Sequence, residues 1–379
     1  MSKKICPTCN NTRIDGHSQQ CLACYRGVQA LRQAEFQARM PQATPEEALR
    51  TDILTHQTKA QERDLKARYK DALERLDQQQ KALDALQKLQ ERPHEPLIIE
   101  PKFASSTSEA TVITPASDWH LEERVGAEVN GLNTFNLEIA EQRVKEFFSH
   151  SLRLVRLLEQ DVKIPHWVLP LLGDFITNDI HEAESSELNE IPPIEAILLA
   201  QTWIISGLDF LLNNTTQKFT VPCHSGNHAR TTKTTRFSAE NGHSLEYFMY
   251  SNLARHYAGN ERITFDLPAG IHSYVNVYGR DIRFHHGHAV KYGGGVGGIY
   301  IPVNKAIAQW NKGRQAYLDV FGHFHQQRDG GNFICNGSLI GYNGFAMSIK
   351  ADFERPRQVL FLEDKKRGRT CVWPILFSV

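Results

Sequence analysis

The sequence predicts an α/β domain preceded by two smaller N-terminal segments, and three observations carry that prediction. From Thr111 onward, short apolar runs of strand character alternate with longer stretches of helical character. Five of the strand-like runs end in Asp, Asn or His, and in α/β sheets functional sites gather at strand ends. The first hundred residues differ in kind: two CxxC units come first, and no Gly occurs between Gly27 and Gly126.

At 379 residues, with 41% hydrophobic and 23% charged residues, the chain can form one large domain with appendages. Its 43 basic and 43 acidic residues cancel, so bulk charge does not announce a nucleic-acid binder and any basic surface must be local. No uninterrupted apolar run of 18 residues occurs, and Met1-Ser2-Lys3-Lys4 leads into a polar, Cys-rich segment. The expectation is a cytoplasmic protein with neither signal peptide nor membrane anchor. Seven Cys, four of them in CxxC units, point to a reducing compartment and metal binding over disulfides.

Residues 1–40 hold Cys6-Pro-Thr-Cys9 and Cys21-Leu-Ala-Cys24. Four thiolates at this spacing can close a tetrahedral site for one structural Zn²⁺, and the segment resembles a zinc ribbon. Disulfides are the alternative. Nucleic-acid contact and protein docking are both open for it. Residues 44–92 are rich in Ala, Leu, Gln, Glu, Lys and Arg, and Thr44-Pro45 followed by two Glu suits a helix start. Leu65, Tyr69, Ala72, Leu76, Gln79, Leu83 and Leu86 alternate steps of four and three, a coiled-coil seam through which the chain could form a homo-oligomer. A single helix packed on the catalytic domain is the rival. Pro93 and Pro96 end the helix, and 93–110 reads as a linker.

The catalytic domain is expected over 111–379. Thr111–Ser117 ends at Asp118, Trp167–Leu172 at Gly173-Asp174, and Phe219–His224 precedes Gly226-Asn227-His228. Asp281–Phe284 leads to the cluster His285-His286-Gly287-His288, and Tyr317–Phe321 to Gly322-His323-Phe324-His325. Asn136–Gln160 and Ile194–Leu212 are helix candidates; Asn332–Cys335, Gln358–Leu362 and Cys371–Phe377 read as further strands. Asp118-Trp119-His120, Gly173-Asp174, Gly226-Asn227-His228, His286-Gly287 and Gly322-His323-Phe324-His325 supply two Asp, one Asn and five His, a donor set suited to a two-metal hydrolase.

In order and placement, Asp118-x-His120, Gly173-Asp174, Gly226-Asn227-His228, His286 and Gly322-His323-x-His325 resemble the five-part signature of the calcineurin-like metallophosphoesterases, over roughly residues 111–345. The resemblance implies a layered α-β-β-α sandwich. It implies that Asp118, His120, Asp174 and His325 hold one divalent metal and that Asp174, Asn227, His286 and His323 hold a second, with Asp174 bridging. Mn²⁺ is the metal expected, with Fe, Zn or Mg as alternatives. His228 would be catalytic, stabilising the transition state or protonating the leaving oxygen. His285 should point to the opposite face from His286, and His224, His181 and His243 have no motif support. Two departures stand out. The acidic residue that often follows Gly-Asn-His is Ala229, so another group must orient His228, and the Gly that often follows Asp-x-His-Leu is Glu122.

After His228, Arg230, Lys233 and Arg236 are interleaved with Thr, a pattern that could bind a phosphate backbone or form a solvated loop. With the ribbon and the helix, it points to a phosphodiesterase acting on nucleic acid, DNA above all, similar to the nuclease members of that family and phage-like in organisation. A phosphomonoesterase or protein phosphatase with docking appendages is the alternative; a non-catalytic adaptor is a third reading, opposed by the intact ligand set.

Overall fold

The computed structural model describes residues 22–39, 44–91, 108–180, 188–292, 297–348 and 351–378. They fall in two compact units, 1–99 and 100–379. Cys6, Cys9, Cys21, most of the 93–110 linker and His181 lie outside the described residues.

The first unit holds helices α1 (Leu22–Arg39) and α2 (Pro45–Glu91). Sequence reading placed a ribbon over 1–40 without assigning α1, whose Ala-, Gln- and Arg-rich composition favours a helix. Cys24 sits in its first turn. Helix α2 begins where expected, through a reciprocal cap. The Glu47 N–H donates to Thr44 Oγ1 at 3.4 Å, and the Thr44 N–H donates to Glu47 Oε2 at 3.0 Å. Ion pairs one turn apart, such as Arg68–Asp64 and Lys81–Asp77, line its surface. The seam residues Leu65, Tyr69, Leu76, Leu83 and Leu86 are 52–68% exposed.

In the second unit, a six-stranded sheet has the order β11-β10-β1-β2-β3-β4. Its strands are β1 (Glu109–Ile113), β2 (Lys163–Val168), β3 (Lys218–Pro222), β4 (Ile263–Asp266), β10 (Arg357–Asp364) and β11 (Gly368–Leu376). Strands β1 to β4 are parallel, and β10 and β11 form an antiparallel hairpin joined to β1. Lys366 and Arg367 occupy the hairpin turn. A five-stranded sheet has the order β5-β6-β7-β9-β8, from β5 (Ser273–Val277), β6 (Arg280–Phe284), β7 (Leu318–Phe321), β8 (Arg328–Asp329) and β9 (Phe333–Cys335). The helices are α3 (Leu137–Leu158), α4 (Pro193–Asn214), α5 (Leu245–His256), α6 (Tyr300–Trp310) and the short α7 (Gly344–Ser348).

Side-chain alternation along the strands sorts the core into layers. Ile113, Val168, Val359 and Phe361 of the large sheet share one cluster with Ile282, Phe284, Val320 and Ile334 of the small one. Their sequence neighbours Val112, Trp167, Leu360 and Leu362 turn the other way, onto α3, α4 and α5. On the small sheet Phe321, Phe333 and Cys335 turn onto α6. The order is helix, sheet, sheet, helix, as the family resemblance implies.

Three expected strands end early for one reason. Pro115, Pro170 and Pro222 each lack the N–H a ladder needs. The chains nevertheless stay aligned past them, through the bridges Ala116–Leu171 and Leu171–Cys223. The parallel strands β1, β2, β3, β6 and β7 thus all deliver their following turns at C-terminal ends. Helix α4 is the most apolar of the longer described helices. Despite Glu195 and Asp209, it is long and apolar enough by composition to cross a membrane. Here Ala196, Ile197, Ala200, Ile204, Leu208 and Leu211 are buried against the large sheet's helical layer.

Phe361 is fully buried between the two sheets. Phe361→Ala should destabilise the domain by about 3–5 kcal/mol, read as a lower urea midpoint with an unchanged slope. A loss under about 1 kcal/mol would show that the sheets do not depend on this layer.

Candidate metal centre

Five strand-end turns build the site, and their backbone conformation is unusual. Among the described residues eight non-glycine positions have positive φ, and five of them are Asp118 (55°), His120 (47°), Asp174 (54°), His323 (70°) and His325 (53°). Left-handed backbone at such residues costs on the order of 1–3 kcal/mol each and persists only where the surroundings enforce it. Here the enforcement is visible. The N–H groups of Trp119 and His120 donate to the Asp174 carbonyl at 2.8 and 3.1 Å, and the Asp118 N–H donates to the Gly173 carbonyl at 3.0 Å. Trp119, between Asp118 and His120, is buried edge-on against Phe175, 4.7 Å between ring centroids. The glycines of the motifs are spacing elements. A Cβ on Gly173 would strike the backbone of Gly226, one on Gly226 would strike Asp174, and one on Gly322 would strike Asp118 and Ser117.

The seven residues proposed as ligands are brought together. Asp118, His120 and His325 form one group of potential donors, and Asp174, His286 and His323 another. A third group, His120, Asp174 and His228, joins the two. The Nε2 atoms of His120 and His325 face each other at 3.2 Å, and Asp118 Oδ1 is 3.5 Å from His325 Nε2. Asn227 Oδ1 lies 3.2 Å and Asp174 Oδ2 2.9 Å from His286 Nε2.

Neighbours fix which nitrogen faces inward. His286 Nδ1 donates to the Leu172 carbonyl at 2.6 Å. The Thr177 hydroxyl donates to Glu123 Oε2 at 3.0 Å, so its oxygen accepts from His120 Nδ1 at 3.1 Å. Both imidazoles therefore present Nε2 to the centre, the arrangement common to metal-ligating histidines.

Burial, helped by neighbouring His228 and His325, holds the His120 imidazole well below its usual pKa. Burial does the same to His323 and brings His325 down to about 3. All three are neutral, with lone pairs available. His286 is the exception. Burial opposes its charge, but the Asp174 carboxylate beside it raises it to about 10 and is itself held well below the carboxylate range. A cation bound there takes the place of that proton. Burial pushes the Asp118 carboxyl up to about 7. Converging imidazole nitrogens, an amide oxygen and two carboxylates in a buried setting fit divalent cations of the Mn, Fe or Zn type.

Three carboxylates around the centre support it, and two of them, Glu246 and Glu123, escaped sequence reading. Glu246, in the first turn of α5 and fully buried, accepts N–H bonds from Phe175 and Gly226, both at 2.7 Å. It thereby clamps the turns that carry Asp174 and Asn227. Burial, with Asp174 adding to the effect, pushes its carboxyl up to about 8. Its signal in the sequence, Ser244 at the N-cap and Glu246 two residues on, reads only as a helix start. Glu122, a departure from the family pattern, accepts N–H bonds from Thr177 and Asn178 at 2.7 and 2.8 Å. Glu123 receives the Thr177 hydroxyl and, at 2.9 Å, the Asn343 amide.

The second departure has a local explanation. Ala229 is buried in the helical core, where a charge would be stranded. His228 is oriented instead by the Thr177 carbonyl, which accepts from Nδ1 at 2.9 Å, while its own N–H donates to Asp174 Oδ1 at 2.9 Å. Its ring meets that of His120 edge-on at 4.7 Å. His285 turns away from His286 and stacks on Phe321 at 4.9 Å. His224 is buried, with Nε2 2.8 Å from Ser273 Oγ, and His243 belongs to the loop after Arg236.

The three proposed substrate-binding cations separate. Arg230 is buried, and its guanidinium donates to the carbonyls of Asn227, Thr232 and Lys233 within its own loop. Lys233 and Arg236 are exposed on that loop.

No protein-family model matches the chain, and no curated protein does. Solved structures do. A hypothetical protein of Pyrococcus horikoshii is 11% identical with a TM-score of 0.37, over 71% of this chain and 89% of that one. An archaeal phosphodiesterase is 11% identical with a TM-score of 0.28, over 69% and 99%. Vps29 of Entamoeba histolytica, complexed with zinc, is 17% identical with a TM-score of 0.27, over 55% and 98%. At this distance the functional reading rests on the chain's own geometry.

Glu246→Ala removes the acceptor of two buried N–H groups, about 1–3 kcal/mol each, and releases the clamp on the Asp174 turn. Titration calorimetry with Mn²⁺ should show affinity about 10–100-fold weaker than wild type. Unchanged affinity would mean the turns are held without it.

Proposed function

We propose that this protein is a dinuclear-metal phosphodiesterase that hydrolyses phosphodiester bonds of nucleic acid, with DNA as its substrate. The observation that supports it best is the convergence of donors on two sides of Asp174. Asp118, His120, Asp174 and His325 would hold one cation and Asp174, Asn227, His286 and His323 the other. Mn²⁺ is preferred; Fe, Zn and Mg also suit the donors. When bound, the pair supplies Lewis acidity toward the phosphate and a nucleophilic water at neutral pH.

The chain's own residues do the rest. The Thr177 carbonyl fixes His228 through Nδ1, leaving Nε2 to pass a proton to the departing oxygen. Glu123, acting through Thr177, and the Leu172 carbonyl hold His120 and His286 in register, so little reorganisation is needed when substrate arrives. Lys233 and Arg236 would meet backbone phosphates, while Arg230 shapes the loop that carries them. Cys6, Cys9, Cys21 and Cys24 would hold one structural Zn²⁺ in a reducing, cytoplasmic setting, and the exposed α2 seam would pair with a second copy of the chain.

One observation favours the alternative of a phosphomonoesterase or protein phosphatase: with Arg230 turned inward, two cations rather than three remain for a polyanion. A side-by-side assay with Mn²⁺ on single- and double-stranded DNA, RNA and a phosphomonoester separates the two. Polynucleotide cleavage is expected in wild type and absent in Asp174→Ala. His228→Ala should keep its Mn²⁺ by elemental analysis yet lose about 10²–10⁴ in kcat. Turnover of the monoester alone would overturn the nuclease reading. Replacing Lys233 and Arg236 with Ala should also flatten the plot of log affinity for DNA against log salt by about one unit per side chain. An unchanged slope would remove both from the interface.

A further inference from the structure

Beside the metal centre lies an aromatic feature the chemistry above does not use. Phe237 follows Arg236 on the loop that begins at Asn227 and His228, and it is 43% exposed. Its ring is not loose. It lies parallel to the His288 imidazole, 5.3 Å between centroids and 7° between planes. His288, whose ring nitrogens are buried, has the Glu240 carboxylate 3.3 Å from its Nε2. The same imidazole is 5.4 Å from the ring of His286 and 6.5 Å from that of His323, both proposed ligands. An exposed, flat ring stacked on an imidazole therefore stands two ring contacts from the centre, preceded in sequence by the exposed cations Lys233 and Arg236.

We propose that Phe237, backed by His288, is a stacking shelf for one unpaired nucleobase of the strand whose phosphate is cleaved. The inference rests on the nuclease reading and names the part of the substrate that the site recognises. Aromatic faces interleaved with cations are how proteins grip single strands, because every base has a π-face and every linkage a charge. A base within a duplex already has both faces covered, so the shelf selects single-stranded, frayed or flipped nucleotides. It also supplies affinity without sequence preference.

The test is a coupling experiment on the full-length protein with Mn²⁺. Wild type, Phe237→Leu and Phe237→Tyr are compared on a single-stranded oligonucleotide and on versions with one abasic position at each site flanking the scissile bond. The expected result is an approximately tenfold loss in kcat/KM for Phe237→Leu on the intact strand. Phe237→Tyr should retain activity. One abasic position should cost wild type the same tenfold and cost Phe237→Leu nothing further. Because the wild-type abasic comparison needs no mutant, a folding defect in Phe237→Leu cannot imitate it. Cleavage of intact and abasic strands at equal rates by wild type would overturn the shelf and leave the nuclease reading standing. Failure of wild type to cleave any polynucleotide would overturn both.

Discussion

Asp174 is a fully buried carboxylate, and a buried charge persists only when it is paired and hydrogen-bonded. Its oxygens meet the His228 N–H and the His286 imidazole, while its left-handed backbone turns its carbonyl toward the N–H groups of Trp119 and His120. Trp119 and His120 belong to the turn after β1, His228 to the turn after β3 and His286 to the turn after β6. The demand of one charge for partners thus ties together the turns after β1, β2, β3 and β6. The glycines follow from the same demand, since any side chain at Gly173 or Gly226 would occupy the space through which these turns touch. Glu246 closes the arrangement from behind by accepting from both turns at once.

Much of this was legible in the sequence, because the residues that hold chemistry are also those whose types are hard to explain otherwise. Asp118, His120, Asp174, Asn227, His286, His323 and His325 all stand where apolar runs stop, and the structure gathers all seven. Strand limits were less legible. Pro115 and Pro170 lie just past the ends of β1 and β2, and Pro222 is the last residue of β3, so the apolar runs outlast the strands. The supports were least legible. Glu246 and Thr177 act through backbone groups of residues distant in sequence, and no local pattern records such a partnership. Arg230 shows the opposite error. Its charge suggested a ligand outside the protein, but three carbonyls of its own loop absorb it.

The two departures from the family pattern are linked. With Ala229 buried against the helical core, no acid at that position orients the His228 ring, and the orienting acceptor becomes the Thr177 carbonyl. Thr177 must then be held firmly. Glu122 accepts its N–H and that of Asn178, while Glu123 accepts its hydroxyl. Asn178 closes the loop by donating to the carbonyls of His228 and Arg230. A carboxylate placed directly on an imidazole has been exchanged for two carboxylates that fix the backbone on which the imidazole rests.

The charge of the donor set bears on how a chain of zero net charge could attract a phosphate. Asp118 and Asp174 contribute two formal negative charges, and the four imidazoles and the Asn227 amide contribute none. Two divalent cations would exceed that by about two positive charges, concentrated in a buried site where water screens poorly. Attraction for an anionic ester is then a property of the centre, and the surface need supply only direction. Lys233 and Arg236, exposed on the loop that starts from the site itself, would supply it under the proposed function. A metal-activated water and a phosphodiester would together balance that excess, and the cations would stabilise charge as it shifts onto the phosphorus oxygens in the transition state. A donor set with few carboxylates would leave the cations Lewis-acidic toward those oxygens, and differential stabilisation of the transition state is the condition for rate acceleration.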